Sequence, residues 1–285
     1  MKLGILGGGF GLYGYLPAAI ELGFQVSTLS RYRESIAGRA ELSYLEKQID
    51  FHTDESSILD NSDYLIIARE PSSQYKLIME RAGEYKKLFL EKPMAADPGA
   101  HKELLKVLIE RKQNFSVGYL APYTDWFNSL NAITQQQVQI HWNCRIDTGS
   151  WKSKTFADRG LFSYFGVHLI PLIYKLNPKK IDVEKVKNED SLRIRLITES
   201  NCVELFLTAA LIPNFVILDD VCGQQTRMFE FDTPFGKQGA RGTPDPRIPL
   251  LKNYLSNDLD GAKVNISIAY EELFLELSSK LQRTQ

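Results

Sequence analysis

The chain is poor in cysteine, in net charge and in long apolar runs, and each shortage removes a class of protein. Its three cysteines, Cys144, Cys202 and Cys222, form no Cys-x-x-Cys pair and are odd in number. That argues against a disulfide framework or a zinc cluster, favours buried thiols, and leaves no metal site to expect. The net charge of −1 comes without any block of like charge, which speaks against a basic nucleic-acid footprint and an acidic tail. The longest apolar run, Leu205 to Leu218, is broken by Pro213 and Asn214 and is too short to span a bilayer. No leader pattern precedes the first strand, which begins at residue 2. A soluble cytoplasmic protein is expected, with no nucleic-acid or membrane partner. No internal repeat or low-complexity segment is evident.

What is present is enough for a sizeable core. At 285 residues and 44% hydrophobic composition, two domains are the natural expectation. The most informative stretch opens the chain, where the apolar run Leu3 to Leu6 breaks into Gly7-Gly8-Gly9-Phe10-Gly11-Leu12 and then becomes helical. Glycine can adopt positive φ and has no side chain to block a ligand, so such a turn lets backbone N–H groups at a helix N-terminus approach a pyrophosphate. As a bare pattern Gly9, Gly11 and Gly14 fit G-x-G-x-x-G. The first glycine should follow the strand directly, which favours Gly7 and Gly9 with Leu12 in the third position. Gly7, Gly9, Phe10, Gly11 and Leu12 are the candidate dinucleotide contacts.

The second strand, Phe24 to Leu29, runs into Ser30-Arg31. An NAD-selective site carries an acid there for the ribose 2′-hydroxyl, about twenty residues past the glycines. A small hydroxyl followed by a guanidinium instead suits a 2′-phosphate, so NADP is preferred over NAD, and the bland alternative is a solvated basic turn. Strands and helices then alternate. A helical pattern covers Tyr32 to Lys47, strands fall at Ile49 to His52, Tyr64 to Ala68, Lys87 to Leu90 and Phe115 to Tyr119, and helices near Ser56 to Leu59, Tyr75 to Ala82 and His101 to Arg111. This is a doubly wound parallel sheet. Beyond it Tyr123 to Ile133 is helical, Val138 to Ile146 alternates, and Gly160 to Leu176 reads as one aromatic-rich helix. Four strand-like runs between Ser191 and Asp232 suggest an antiparallel meander, Gly236 to Pro249 an irregular loop, and Leu250 to Leu255 and Ile266 to Leu281 helices. The fold class is α/β: a Rossmann domain over 1–119, then an α+β domain over 120–285 on a large, mainly antiparallel open sheet.

Two further clusters carry chemistry. Glu91-Lys92-Pro93 ends the fifth strand at the edge where open α/β sheets bind ligands, and a lysine there can hydrogen-bond a substrate oxygen. His168, at the end of Gly160-Leu161-Phe162-Ser163-Tyr164-Phe165-Gly166-Val167-His168, has the ordinary imidazole pKa suited to proton exchange, although a packed core histidine is the commoner case. With these in hand the chain resembles the glucose-fructose oxidoreductase, inositol dehydrogenase and MocA family of NAD(P)-dependent oxidoreductases. The resemblance rests on Glu91-Lys92-Pro93, on Leu16-Pro17-Ala18 after the glycine turn, and on Gly160 to His168.

The resemblance implies a nicotinamide cofactor in the cleft between the domains and a homodimer or homotetramer built through the second sheet. It also implies a small carbohydrate-like substrate: a sugar, a sugar nucleotide, a cyclitol or a similar carbonyl compound. Lys92 corresponds to the family's substrate or proton-handling lysine and His168 to its catalytic histidine, while Arg69, Pro71 and Glu91 fall among cofactor-binding positions. The departures bear on catalysis. Tyr164 and Pro171 stand where the family segment has Asp, and Arg69-Glu70-Pro71 to Tyr75 differs from the family pattern. Tyr164 can relay a proton, but its ordinary pKa of ~10 makes it a poorer base. Trp151, Lys152 and Lys154 are candidates to line the substrate pocket, with a solvated basic loop as the equal alternative. A reductase acting by another route, or a dinucleotide-binding regulator without dehydrogenase chemistry, is the competing reading.

Overall fold

The computed structural model describes residues 1–8, 11–124, 126–127, 137–145, 160–185, 191–199, 201–210, 214–221, 225–231, 247–256 and 260–283. Contacts divide the chain into two units: Met1–Gly118 with Gln238–Glu271, and Tyr119–Lys237 with Glu272–Gln285. The single boundary drawn after residue 119 thus misses a return of the chain. Helices α7 (Arg247–Ser256) and the first half of α8 (Asp260–Arg283) pack on the first unit. Side-chain contacts hold them there. The Tyr254 hydroxyl donates to Leu88 O at 3.2 Å, and buried His101 meets buried Glu271 at 2.6 Å.

The first unit is a six-stranded parallel sheet in the order β3-β2-β1-β4-β5-β6. Its strands are β1 (Lys2–Leu6), β2 (Gln25–Leu29), β3 (Ile49–His52), β4 (Tyr64–Ile67), β5 (Lys87–Leu90) and β6 (Phe115–Val117). β1 sits between β2 and β4, with Gly4 opposite both Ser27 and Leu65. The inner strands β1, β4 and β5 are short, mostly apolar runs buried on both faces, as in a parallel sheet covered by helices, whereas β2 and the edge strand β3 carry polar, partly exposed residues. All four residues of β5 are buried.

Local chemistry starts and stops the helices. A π-helical turn, Gly11–Tyr15, leads into α1 (Leu16–Glu21). Helix α2 (Arg33–Ala37) ends at Gly38 and a separate 3₁₀ segment covers Ser43–Gln48, so the pattern from Tyr32 to Lys47 is two pieces. Asp54 caps α3 (Glu55–Asn61) by accepting from Ser57 N–H at 2.8 Å, and that bond holds its carboxyl below the usual range. Pro71 opens α4 (Pro71–Arg81), and Asp97 caps α5 (Pro98–Glu110). Proline has no N–H to waste in a first turn, which explains why both helices begin earlier than apolar spacing alone suggests.

The second unit holds a six-stranded sheet in the order β12-β11-β7-β10-β9-β8. Its strands are β7 (Gln137–Arg145), β8 (Lys180–Lys185), β9 (Ser191–Ile197), β10 (Cys202–Ala210), β11 (Asn214–Val221) and β12 (Gln225–Phe231). β9 pairs antiparallel with β10 and β11 with β12, as expected, and β8, outside the four strand-like runs read from the sequence, joins antiparallel to β9; but β7 inserts between β10 and β11 and lies parallel to β10. A simple meander is therefore excluded. β7 takes the central place with Val138, Ile140, Trp142 and Cys144 buried on one face. The predicted helix over Gly160 to Leu176 is also broken: residues 160–164 are helical, Gly166–Leu169 is a 3₁₀ turn, and α6 (Ile170–Leu176) follows. Pro171 lies in the first turn of α6, where its missing N–H leaves no hydrogen bond unmade and no kink results. The predicted helix from Tyr123 to Ile133 lies largely outside the described residues, as does most of the loop Gly236 to Pro249.

Candidate functional site at the carboxyl edge of the parallel sheet

Because all six strands of the first sheet run the same way, the residues after β1, β2, β4 and β5 share one edge. Gly7, Ser30, Arg69 and Lys92 are brought to that edge by topology alone. The strand order reverses direction beside β1, so the edge between β1 and β4 is the switch point at which open α/β sheets bind ligands.

At Gly7 the backbone has φ +144°, and a Cβ built there would fall 2.1 Å from Ala68 O. Glycine is demanded twice, by conformation and by the close approach of the turn to the end of β4. Across the turn, the Tyr32 ring edge would lie 2.9 Å from a Cβ on Gly8. Leu12 is fully buried, so the third fingerprint position serves packing. Gly9 and Phe10 lie outside the described residues, and of Gly11 only the backbone is described.

Ser30 and Arg31 begin a 3₁₀ turn, Ser30–Tyr32, directly after β2. The Arg31 guanidinium donates to the Tyr32 hydroxyl at 3.1 Å and lies 5.1 Å from that ring's centroid. Among the described residues no carboxylate reaches Arg31, whereas Arg33 faces Glu46 at 3.8 Å and Arg39 faces Glu41 at 3.2 Å. Arg69 is differently disposed. Both of its terminal nitrogens are engaged by the Glu55 carboxylate in a bidentate pair, Nη1 at 2.8 Å. Pro71 is buried at the start of α4.

After β5, Lys92 Nζ donates to Glu91 Oε2 at 2.7 Å, and the Tyr15 hydroxyl donates to the other oxygen, Oε1. Fully buried Gln74 grips the backbone of this turn. Its Oε1 accepts from Glu91 N–H at 3.1 Å, and its Nε2 donates to Glu91 O at 2.8 Å and to Met94 O at 3.0 Å. Tyr15, Gln74, Glu55 and Tyr32 were not singled out from the sequence. Gln74 lies three residues past Pro71 on α4, the one local hint available.

In the second unit His168 lies within the 3₁₀ turn Gly166–Leu169, its N–H donating to Phe165 O at 3.0 Å. Its ring lies 5.7 Å from that of buried Trp142 on β7, and Trp142 in turn meets Phe165 at 5.5 Å. Tyr164 packs edge-on against Phe165 at 4.7 Å. His168 and Tyr164 therefore belong to one aromatic cluster. Trp151, Lys152 and Lys154 lie outside the described residues, and so does Cys222. Burial pushes the Cys144 thiol far up, as an inert core thiol requires. Among the described residues no cluster of His, Cys, Asp and Glu could hold a metal ion, and no helix is long and apolar enough to cross a membrane.

Residues 1–119 match the Gfo/Idh/MocA family model, described as an oxidoreductase family with an NAD-binding Rossmann fold. No curated protein matches the sequence. Several solved structures share the fold. The WlbA dehydrogenase from Thermus thermophilus, solved with NAD and UDP-GlcNAcA, is 15% identical with a TM-score of 0.68, covering 98% of this chain and 94% of that one. The MviM dehydrogenase from Clostridium difficile is 12% identical with a TM-score of 0.70, covering 100% and 99%. A super-repressor mutant of Gal80p from Saccharomyces cerevisiae is 14% identical with a TM-score of 0.65, covering 99% and 96%.

Proposed function

We propose that this chain, whose residues 1–119 carry the NAD-binding Rossmann fold of the Gfo/Idh/MocA oxidoreductase family, is an oxidoreductase that prefers NADP(H) to NAD(H). Its substrate is a sugar, a sugar nucleotide, a cyclitol or a similar small molecule with a hydroxyl or carbonyl carbon. The observation that carries the reading is the convergence of the Gly7 turn, the Ser30-Arg31 pair and Lys92 on one edge of one parallel sheet.

The residues fit a dinucleotide. At Gly7 only glycine is accommodated, and the turn leads into a helix whose first N–H groups suit a pyrophosphate. Ser30 and Arg31 offer a hydroxyl and a guanidinium that no carboxylate neutralises among the described residues, the donor set for a 2′-phosphate. Arg69, fixed by Glu55, forms a wall of the site beside Pro71 and leaves the phosphates to the glycine turn. When bound, the nicotinamide supplies or accepts a hydride. The chain's own part is to orient the substrate and manage one proton. Lys92 hydrogen-bonds the reacting oxygen and favours negative charge developing there, with Glu91 holding the ammonium. His168 is assigned the proton exchange on the chemistry of its imidazole, with Tyr164 as the alternative carrier. The sugar-nucleotide class draws support from the WlbA complex, and the fold of the second sheet supports a homodimer or homotetramer.

A regulatory dinucleotide-binding protein is the second reading, favoured by Tyr164 and Pro171 at the family's Asp positions and by the likeness to Gal80p. One titration decides first. Following tryptophan fluorescence, NADPH is expected to bind at least roughly tenfold more tightly than NADH, the scale of one charge-assisted contact. Equal or weaker NADPH binding overturns the NADP preference, and no binding of either at near-millimolar concentration overturns the dinucleotide reading. If NADPH binds, turnover with a panel of carbonyl compounds, abolished in Lys92→Ala and His168→Ala, separates enzyme from regulator.

A further inference from the structure

We propose that Tyr15 is a positioning residue that fixes the ammonium of Lys92 through Glu91, tying the helix after the glycine turn to the lysine at the end of β5. What Lys92 does chemically rests on the function proposed above; the linkage itself does not.

Tyr15 ends the π-helical turn Gly11–Tyr15 and is fully buried. Its ring packs edge-on against Phe89 of β5, centroids 4.9 Å apart. Its hydroxyl donates to Glu91 Oε1, while Lys92 Nζ occupies Oε2 at 2.7 Å. A third side is closed by Gly118, where a Cβ would come 3.0 Å from the Tyr15 hydroxyl and 3.3 Å from Glu91 Oε1. Gln74 immobilises the backbone of Glu91 from α4. A carboxylate held at both oxygens and at its own backbone is restrained in one orientation. Lys92 therefore has a fixed counter-ion, which its flexible four-carbon stem cannot provide for itself. A reacting group must be held to within about half an ångström for full effect.

The competing explanation is that Tyr15 only fills space, in which case phenylalanine serves as well. Site-resolved trace acetylation separates the two on the free protein, without cofactor or substrate, with exposed Lys102 as the internal reference. In Tyr15→Phe, Lys92 is expected to label roughly threefold to tenfold faster relative to Lys102, the fold-change set by loss of one hydrogen bond. Unchanged labelling in a variant that melts like the parent overturns the proposal. If Tyr15→Phe proves too unstable, Glu91→Gln keeps the tyrosine and removes the carboxylate charge that faces the Lys92 ammonium; the same acceleration is expected, and its absence overturns the linkage. The NADPH titration judges the proposed function separately, so failure of either leaves the other standing.

Discussion

In the first sheet Leu65, Ile66 and Ile67 of β4 are all buried, whereas along β9 burial alternates, with Leu192, Ile194 and Leu196 inside and Arg193 and Arg195 outward. The difference follows from what covers each sheet. Helices on both faces leave a parallel strand no polar side, and its ligand chemistry is pushed to the loops at one edge. An antiparallel sheet with one open face keeps a polar side: Arg193 pairs with Glu204 and leans over Phe206, on which His141 stacks at 4.5 Å. The candidate cofactor residues are therefore edge residues of a closed sheet, while His168 lies off the second sheet in a turn packed against its buried face.

The largest expected effect tests this contrast directly. Ile66→Asp places an unpaired carboxylate between sheet and helices and is expected to prevent folding, costing several kcal/mol. Arg195→Ala on β9 is expected to change stability by less than ~0.5 kcal/mol in urea unfolding. Comparable effects would erase the distinction. Next comes Gly7→Ala, which meets both a positive φ and the Ala68 carbonyl; a loss of about 3 kcal/mol is expected, together with loss of dinucleotide binding in the fluorescence titration. Gln74→Leu removes three hydrogen bonds from a buried turn and leaves backbone groups unsatisfied. A loss of ~1–3 kcal/mol in thermal or urea melts is expected.

The smallest effect belongs to the open face. Burial pushes the His141 pKa below its usual value near 6.5, outweighing the opposing pull of Glu204. The folded state thus favours the neutral ring, so its contribution is present above about pH 6.5 and is lost as pH falls through the lowered folded value. His141→Gln is expected to flatten part of the acid-side decline in stability; an unchanged profile would show that the ring titrates as if exposed.

The glycine turn, the Ser30-Arg31 pair and the position of Lys92 were legible because each is a local pattern of residue type and spacing next to a strand. Tyr15 and Glu91 were not legible as a pair, being 76 residues apart. Nothing near Tyr15 marks its hydroxyl for the carboxylate that follows β5. The same holds for Glu55 and Arg69, where an arginine expected at the cofactor is committed to a bidentate pair with the first residue of α3.

What the sequence by itself determined is the class of fold: runs of apolar residues four or five long, separated by capped helices, admit a parallel sheet, and alternation later in the chain admits an open antiparallel one. Only the tertiary structure decided that β7 inserts between β10 and β11, that α7 returns to the first unit, and that Gly160 to Leu176 breaks so that Pro171 opens a helix. Local propensity sets what each segment can become. Which segments then neighbour one another depends on burying every apolar face at once, a condition no single stretch of sequence states.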